Sequence, residues 1–392
     1  MNADRVPGPA VLHYLNHAAC APLPQAALDA MQRFMESERQ WGGYVAARHA
    51  QQAIDAVYER LAGVVGAAAE DIALTQGNTD GWGRIVGAMR WQAGDRVLVA
   101  RNEWGGNLGI LRHLASRGGI ELQEIPSDAE GAVDLGALEV LLRQQRVRLV
   151  ALNWVSTNSP LVQPAEAIGA LCARFGAPYL IDAAQAVGQI PVDVGRLRCS
   201  ALTAPGRKWL RGPRGTGFVY VHPGFAAQLK PPMADHRARP WSEAGEPAYR
   251  AGARRLEAAE ASMALRLGLG AAVAQWQASG IETIERELCD RARFLRERLS
   301  GLSGLRVHTL SSRPMSGIVT LHSDRHPAAY LHEQLQRAGV ETAVSPFEFT
   351  PLEMRARGLP SVLRISGGHD TTRESLQACV DGLEQLGHPA TG

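Results

Sequence analysis

The stretch that decides the fold is Leu180-Ile181-Asp182-Ala183-Ala184-Gln185, in which an acid stands directly after an apolar run. A short apolar run predicts a buried strand, and the acid then lies at the carboxyl edge of a sheet. Open α/β sheets bind their ligands at that edge, so Asp182 is a candidate ligand-binding residue. The alternative is an acid that caps a helix or lies in a surface loop.

A lysine follows in the glycine-punctuated stretch from Arg207-Lys208-Trp209 to Gly217. The chain has 41 basic residues, and only Lys208 and Lys230 are lysines. Arginine stays protonated, whereas a lysine in an electropositive or apolar pocket can lose its proton and attack a carbonyl carbon. The bias marks Lys208 as a candidate nucleophile, and the alternative is a chance surface lysine.

A third candidate site is Thr75-Gln76-Gly77-Asn78-Thr79-Asp80-Gly81, which precedes a helical pattern over 82–89. Small and polar residues at a helix start present free backbone N–H groups to a phosphate. The same residue types also favour helix starts as caps, so a purely structural role is the alternative.

The composition is that of an ordinary globular chain of 392 residues, with 45% hydrophobic residues and 41 basic against 39 acidic side chains. We expect no nucleic-acid partner, because no basic excess is present, and no membrane span, because every apolar run is too short. The start of the chain, Met1 to Pro7, lacks the apolar core of a signal peptide. Five scattered cysteines form neither a CxxC pair nor an even framework, so we predict a cytoplasmic protein with no metal site.

Helical and strand-like segments alternate from about residue 22 to 222, which predicts a mainly parallel sheet covered by helices. The predicted strands are 96–100, 120–125, 149–155, 179–183, 200–204 and 217–221. A proline-rich stretch over 230–247 predicts an exposed loop, and a helical tract over 255–300 follows, broken near Ser279-Gly280. A smaller α+β unit is predicted beyond it, with strands at 318–321, 340–344 and 362–366 and helices at 328–338 and 372–386.

The three sites occur in the order found in fold type I pyridoxal-phosphate enzymes. Further matches are Tyr14-Leu-Asn-His-Ala-Ala19, Glu103-Trp104, Asp182-Ala-Ala-Gln-Ala-Val-Gly188 and Leu363-Arg-Ile-Ser366. Over nearly its whole length the chain resembles the class V aminotransferase and cysteine desulfurase family. The resemblance implies a large cofactor domain with a mainly parallel, seven-stranded sheet over residues 21–260. It also implies a small α+β domain over 1–20 and 261–392.

The resemblance assigns pyridoxal 5'-phosphate as the cofactor. Lys208 would bind it covalently and later carry the α-proton of the substrate, and Asp182 would pair with the ring nitrogen. Gln185 would donate to the ring oxygen, and Trp104 would stack on the ring face. An ordinary core aromatic is the alternative for Trp104.

The resemblance also implies how the phosphate is held. Gly77, Asn78 and Thr79 would surround it. Pro205 stands where many relatives have a serine or threonine, and Arg207 where many have a histidine. We therefore expect further phosphate contacts from Arg207 or from a second subunit of a homodimer.

Arg364 would bind the substrate carboxylate through two parallel hydrogen bonds, and the alternative is a surface salt bridge. Asn158 falls within one residue of the asparagine that contacts the cofactor oxygen in the family, and a slip to Thr157 is the alternative. Asn158 is also a candidate substrate contact. His17, in the opening motif, is expected near the substrate.

Cysteine desulfurases require a loop cysteine that accepts sulfur as a persulfide, but the matching stretch Ser345 to Pro351 has none. Cys379 is nearest in sequence and falls inside a predicted helix. Cys20 lies in the opening motif, where a small buried thiol is the alternative to a sulfur-binding role. Glu348 between two phenylalanines is either a solvated loop acid or a carboxylate facing a cationic substrate group.

From these residues we predict an enzyme that acts on an amino-acid substrate, favouring β-elimination from a cysteine-derived amino acid without a protein persulfide. The competing hypotheses are an aminotransferase or epimerase of the same family and, more remotely, a non-catalytic binding subunit.

Overall fold

The fold was derived from a computed structural model that describes residues 12–144, 146–243 and 245–387. The strands are β1 (His13–Tyr14), β2 (Ile72–Thr75), β3 (Arg96–Val99), β4 (Glu121–Glu124), β5 (Val147–Asn153), β6 (Tyr179–Asp182), β7 (Ala201–Pro205), β8 (Gly217–Val221), β9 (Leu305–Val307), β10 (Val319–Ser323), β11 (Val340–Glu341), β12 (Ala343–Pro346) and β13 (Ser361–Ile365).

The helices surround these strands and alternate with them along the first half of the chain. They are α1 (Gln25–Trp41), α2 (Gly43–His49), α3 (Gln51–Val65), α4 (Asn78–Ala88), α5 (Gly105–Gly118), α6 (Leu135–Gln144), α7 (Ala165–Phe175), α8 (Val194–Leu197), α9 (Pro223–Ala226), α10 (Met263–Ser279), α11 (Ile281–Ser300), α12 (Ala328–Arg337), α13 (Pro351–Arg357) and α14 (Arg373–Gly387). Short 3₁₀ helices are formed by Ala69–Asp71, Ala253–Leu256 and Phe347–Phe349.

The main sheet has seven strands in the order β2-β8-β7-β6-β5-β3-β4. Strand β8 runs antiparallel to both of its neighbours, and the other pairs are parallel. Both faces are covered by helices, and β6 and β7 are buried along their whole length. Near-continuous apolar runs are typical of parallel strands buried on both faces. This architecture confirms the predicted fold class.

A second sheet, of four antiparallel strands in the order β12-β13-β10-β9, packs with α11, α12 and α14 around a separate apolar core. The beginning of the described chain joins this unit, because β1 pairs in parallel with β11. The predicted domain division near residue 260 stays a prediction, and residues 1–11 and 388–392 of the predicted small domain lie outside the described part. Helix α10, just after the division, packs against α1 and α3.

Three local predictions were wrong. Strand β2 was missed because its four residues, Ile72–Thr75, show neither a long apolar run nor alternation. The strand predicted over 340–344 is two strands that join different sheets. The helix predicted from Arg255 begins only at Met263, where the Ser262 hydroxyl accepts a hydrogen bond from the N–H of Leu265 and caps the helix.

Within residues 12–387, apart from the undescribed positions 145 and 244, no helix is long and apolar enough to cross a bilayer.

Candidate active site

The carboxyl ends of the central strands surround a cavity of about 370 Å³. Its walls come from the β2–α4 turn, the loop after β3, and the residues that follow β5, β6 and β7. The lining residues are Gln76, Gly77, Asn78, Thr79, Asp80, Trp104, Asn153, Thr157, Asp182, Ala184, Gln185, Arg207 and Lys208. Parallel strands end at one edge of the sheet, so residues that are far apart in sequence meet there.

Asp182 is the last residue of β6 and is 1% exposed. Its Oδ2 accepts hydrogen bonds from the side-chain amides of Asn78 at 2.8 Å and Asn107 at 2.7 Å. Its Oδ1 accepts the N–H of Ala184 at 2.9 Å. Burial raises the pKa of Asp182, while these donors and the nearby Lys208 ammonium oppose the rise. Three donors and a cation stabilise the ionised form of this carboxyl group.

Lys208 faces Asp182 across the cavity, in the loop after β7. Burial, and next the charge of the Arg207 guanidinium, lower the pKa of Lys208 to about 7, whereas Asp182 acts in the opposite direction. At neutral pH a large fraction of the amine is unprotonated and available as a nucleophile or base, while the protonated fraction provides the cation that faces Asp182. Lys230, the other lysine, is exposed and lies outside this cavity.

The turn between β2 and α4 forms the open end of the cavity. Helix α4 begins at Asn78, so its first N–H groups have no partner within the helix and present a positive dipole end. The turn packs so closely on β8 that a Cβ atom at Gly217 would lie 2.8 Å from the Gly77 Cα. Thr79 is exposed at this end, and the Asn78 side chain points instead to Asp182.

Gln185, Thr157 and Arg364 form one hydrogen-bonded group, in which Gln185 and Thr157 line the cavity and Arg364 is not part of its wall. The Thr157 hydroxyl accepts from Arg364 Nη1 at 2.5 Å and from Gln185 Nε2 at 3.2 Å. Arg364 is 3% exposed, and its Nε has no hydrogen-bond partner. Burial, and next the charge of Arg207, lower the pKa of Arg364 to about 10. No carboxylate of the described residues pairs with Arg364, so the guanidinium can accept an anion.

Asn158 and His17 do not line the cavity. The Asn158 side chain donates to the Pro346 carbonyl at 3.2 Å and accepts from the Ser345 hydroxyl. Of the two residues that the sequence left open, Thr157 is therefore the one on the cavity wall. His17 is 4% exposed, and neither ring nitrogen has a hydrogen-bond partner. Burial lowers the pKa of His17 to about 4, so the ring is neutral at physiological pH.

Trp104 forms one wall and is covered by the segment that follows β12. Its ring lies 4.8 Å from the ring of Phe349, measured between centroids. The backbone at Gly105 approaches this segment so closely that a Cβ atom at Gly105 would lie 1.9 Å from the Glu348 carbonyl oxygen. Glycine permits this approach because it has no side chain. Glu348 itself is exposed.

Asn107 and Asn153 are site residues that the sequence analysis missed. Asn107 lies in the first turn of α5, whereas Glu103 precedes that helix, so no helical spacing in the sequence links the two side chains. Asn153 ends β5 beside Asp182, as its register with that residue shows. Only the parallel pairing of β5 with β6 identifies its position.

The five cysteines are all free thiols. Cys172, Cys199 and Cys379 are 2% exposed or less, and Cys289 lies on α11. Cys20 is half-buried and belongs to the turn whose next residue, Ala21, donates its N–H to the Arg207 carbonyl at 2.8 Å. Cys20 is thus the cysteine joined most directly to the loop of Lys208.

The family model "Aminotransferase class-V" matches residues 13–379. A probable hercynylcysteine sulfoxide lyase of Mycobacterium tuberculosis is 30% identical over 94% of this chain and 89% of its own length. A cysteine desulfurase of Pectobacterium atrosepticum is 30% identical over 96% of this chain and 93% of its own length. The solved structure of a cystine C–S lyase with its product cysteine persulfide has a TM-score of 0.87 and 26% identity, covering 97% of this chain and 99% of that one.

We expect Gly105→Ala to displace the segment around Glu348 from Trp104. The new methyl group would meet a backbone oxygen that no rotamer change can move, which costs about 1–3 kcal/mol of unfolding free energy. The matched control is Gly109→Ala on the same helix, where nothing lies within 4 Å of the new carbon. Alanine there should stabilise the helix by up to about 1 kcal/mol. Equal denaturation midpoints for the two variants would contradict the contact.

Proposed function

Because this chain belongs to the class-V aminotransferase family, we propose that it catalyses β-elimination at a carbon–sulfur bond of a cysteine-derived amino acid. The chain is an enzyme, and its cofactor is pyridoxal 5'-phosphate. The proposal is supported by the 30% identity over nearly the whole chain to a probable sulfoxide lyase, but a cysteine desulfurase is equally similar, so the observation that carries it is the missing loop cysteine. That loop is the stretch Ser345 to Pro351, which contains no cysteine.

The residues of the cavity fit this cofactor. A pyridine ring requires an anionic partner at its nitrogen, and Asp182 offers a buried carboxylate at the closed end of the cavity. An aldehyde requires a neutral amine, which the lowered pKa of Lys208 supplies. A phosphate requires N–H donors and a cation, and the cavity wall offers both, at the start of α4 and at Arg207.

The bound cofactor supplies an electron sink for the bond that breaks at the α-carbon. Lys208 then removes the α-proton, and its lowered pKa suits a base that works at neutral pH. Asp182 keeps a proton on the ring nitrogen, since its own charge is stabilised by three donors. Trp104 covers one side of the cavity and limits the access of water.

The substrate carboxylate is assigned to Arg364. The guanidinium already holds the Thr157 hydroxyl at 2.5 Å, which fixes its orientation, and its unpartnered Nε remains to be satisfied. Since the Thr157 oxygen accepts two hydrogen bonds, its own hydrogen is free to donate to the substrate or to the cofactor oxygen. The substrate would thereby lie between Lys208 and Arg364.

The sulfur would leave in a small product and not on the enzyme. The segment from Ser345 to Pro351 offers no thiol, and Cys379 is 0% exposed. The M. tuberculosis relative is named as a lyase of a cysteine derivative in the sulfoxide state, hercynylcysteine sulfoxide. We therefore propose an S-substituted cysteine or its sulfoxide as the substrate class, with a thiol or sulfenate as the product that carries the sulfur.

Replacing Lys208 by alanine should lower kcat on the order of 10²–10⁴-fold, because the α-proton loses its base. Noncovalent cofactor binding should survive, since Asp182 and the start of α4 are unchanged. Turnover and cofactor absorbance after gel filtration measure the two effects. Lys230→Ala is the control, because this exposed side chain lies outside the cavity, and an equal loss in both variants would reject the assignment.

Replacing Cys172, Cys199, Cys289 and Cys379 by serine should leave pyruvate formation from an S-substituted cysteine largely intact. Each variant must first be shown to fold, because an unsatisfied buried hydroxyl costs about 1–3 kcal/mol. Cys20 is replaced separately, since it lies beside the Lys208 loop. A persulfide mapped to any of the five cysteines would reject direct release. Amino transfer to an oxo acid without pyruvate would favour an aminotransferase.

A homodimer is part of the proposal. Two further hollows adjoin the cavity. One shares Gln76 with it and the other shares Thr79 and Asp80, and Arg84 and Ala258 line both hollows. Among the described residues, Arg207 is the arginine on the cavity wall, next to Lys208. A phosphate can use further donors, and a second copy of the chain can supply them. Sedimentation should give twice the chain mass, and dilution should weaken cofactor binding. A monomer with undiminished cofactor affinity would contradict this.

A further inference from the structure

Behind Asp182 lies a second carboxyl group that the proposed reaction does not use. Glu103 is 0% exposed and directly precedes the turn into α5. Its Oε1 accepts the Asn107 amide at 2.8 Å and the Trp104 N–H at 3.2 Å. Its Oε2 is buried and has no hydrogen-bond partner. No ion pair of the described residues includes this acid.

One amide joins the two acids. Asn107 Nδ2 donates to Glu103 Oε1 at 2.8 Å and to Asp182 Oδ2 at 2.7 Å, which uses both of its hydrogens. The orientation of Asn107, and through it one of the hydrogen bonds that hold Asp182, therefore depends on Glu103. The amide oxygen of Asn107 is buried without a partner, as is Glu103 Oε2. A proton on the Glu103 carboxyl group would supply a hydrogen-bond donor, whereas the two unpartnered atoms, Glu103 Oε2 and Asn107 Oδ1, can otherwise only accept.

Two buried carboxyl groups this close do not both ionise at neutral pH. Asp182 has three donors and the field of Lys208, whereas Glu103 has the Asn107 amide and the backbone N–H groups of Trp104 and Asn153 but no cation. The titratable groups that face Glu103 are Asp182 and Tyr179, and neither is a cation. The negative charge thus belongs on Asp182. Burial, and next the charge of Asp182, raise the pKa of Glu103 to about 8.

We propose that Glu103 is a positioning residue that stays protonated beneath Asp182 and, through Asn107, keeps the Asp182 carboxylate anionic and aimed at the cofactor ring. The inference rests on the proposed cofactor site. Ionisation of Glu103 in alkaline solution places a second negative charge next to Asp182 and disturbs the partner of the ring nitrogen.

The test is Glu103→Gln in the holoenzyme. Glutamine keeps the size and the acceptor oxygen but cannot ionise. The folded wild-type protein holds a proton that the unfolded chain releases above its ordinary pKa, so the wild type loses stability relative to the variant as pH rises. We expect similar thermal midpoints near pH 5 and a gap in favour of E103Q that widens up to about pH 8. A purely structural glutamate would give a gap that does not change with pH.

A second readout is the visible absorbance of the bound cofactor. Its alkaline titration in the wild type should contain a component that E103Q lacks, while Glu282→Gln, at an exposed position on α11, should titrate like the wild type. If E103Q fails to fold, ¹³C NMR of the wild type with labelled glutamate carboxyls decides. One carboxyl must titrate far above the rest, and its absence overturns the proposal. That outcome leaves the proposed function intact, because Lys208→Ala tests the function independently.

Discussion

The confinement of one negative charge, on Asp182, is the constraint on which the site depends. A carboxylate removed from water is costly unless donors and a cation replace its hydration. Here the replacements come from three separate elements: α4 supplies Asn78, α5 supplies Asn107, and the loop after β7 supplies Lys208. The helices on one face of the sheet must therefore begin at the right height relative to the end of β6. The stability of the negative charge on Asp182 therefore depends on how the helices pack against the sheet.

The same electrostatic arrangement sets opposite proton affinities in a small volume. Burial and the cations Arg207 and Arg364 lower the pKa of Lys208 to about 7, although it faces an anion. The group thus combines a base, an anion for a ring nitrogen and a receptor for a carboxylate. Nearly all other basic residues of the chain are arginines, which stay protonated. The positive charges around Lys208 therefore stay fixed over the pH range in which the lysine titrates.

Much of the fold was predictable from the sequence because the central strands are buried on both faces and read as continuous apolar runs. Strand β2 was not, because a four-residue edge strand obtains its stability from pairing with β8. In the site, Asp182 and Lys208 carry strong local signals: an acid after an apolar run, and a rare residue type. Asn107, Asn153 and the choice of Thr157 over Asn158 carry none, since each depends on which side chain the tertiary packing turns toward the cavity.

The beginning of the described chain pairs with segments near the end of the chain. The N–H of Ala18 donates to the hydroxyl of Ser366, 348 residues away, and β1 pairs with β11. During synthesis on the ribosome, these partners emerge last. The main sheet can form earlier, because its strands end at residue 221. The contacts of the turn that carries His17 and Cys20 with Ser366 can form only when that residue has left the exit tunnel. A nascent chain can therefore form its main sheet before it has a complete active site.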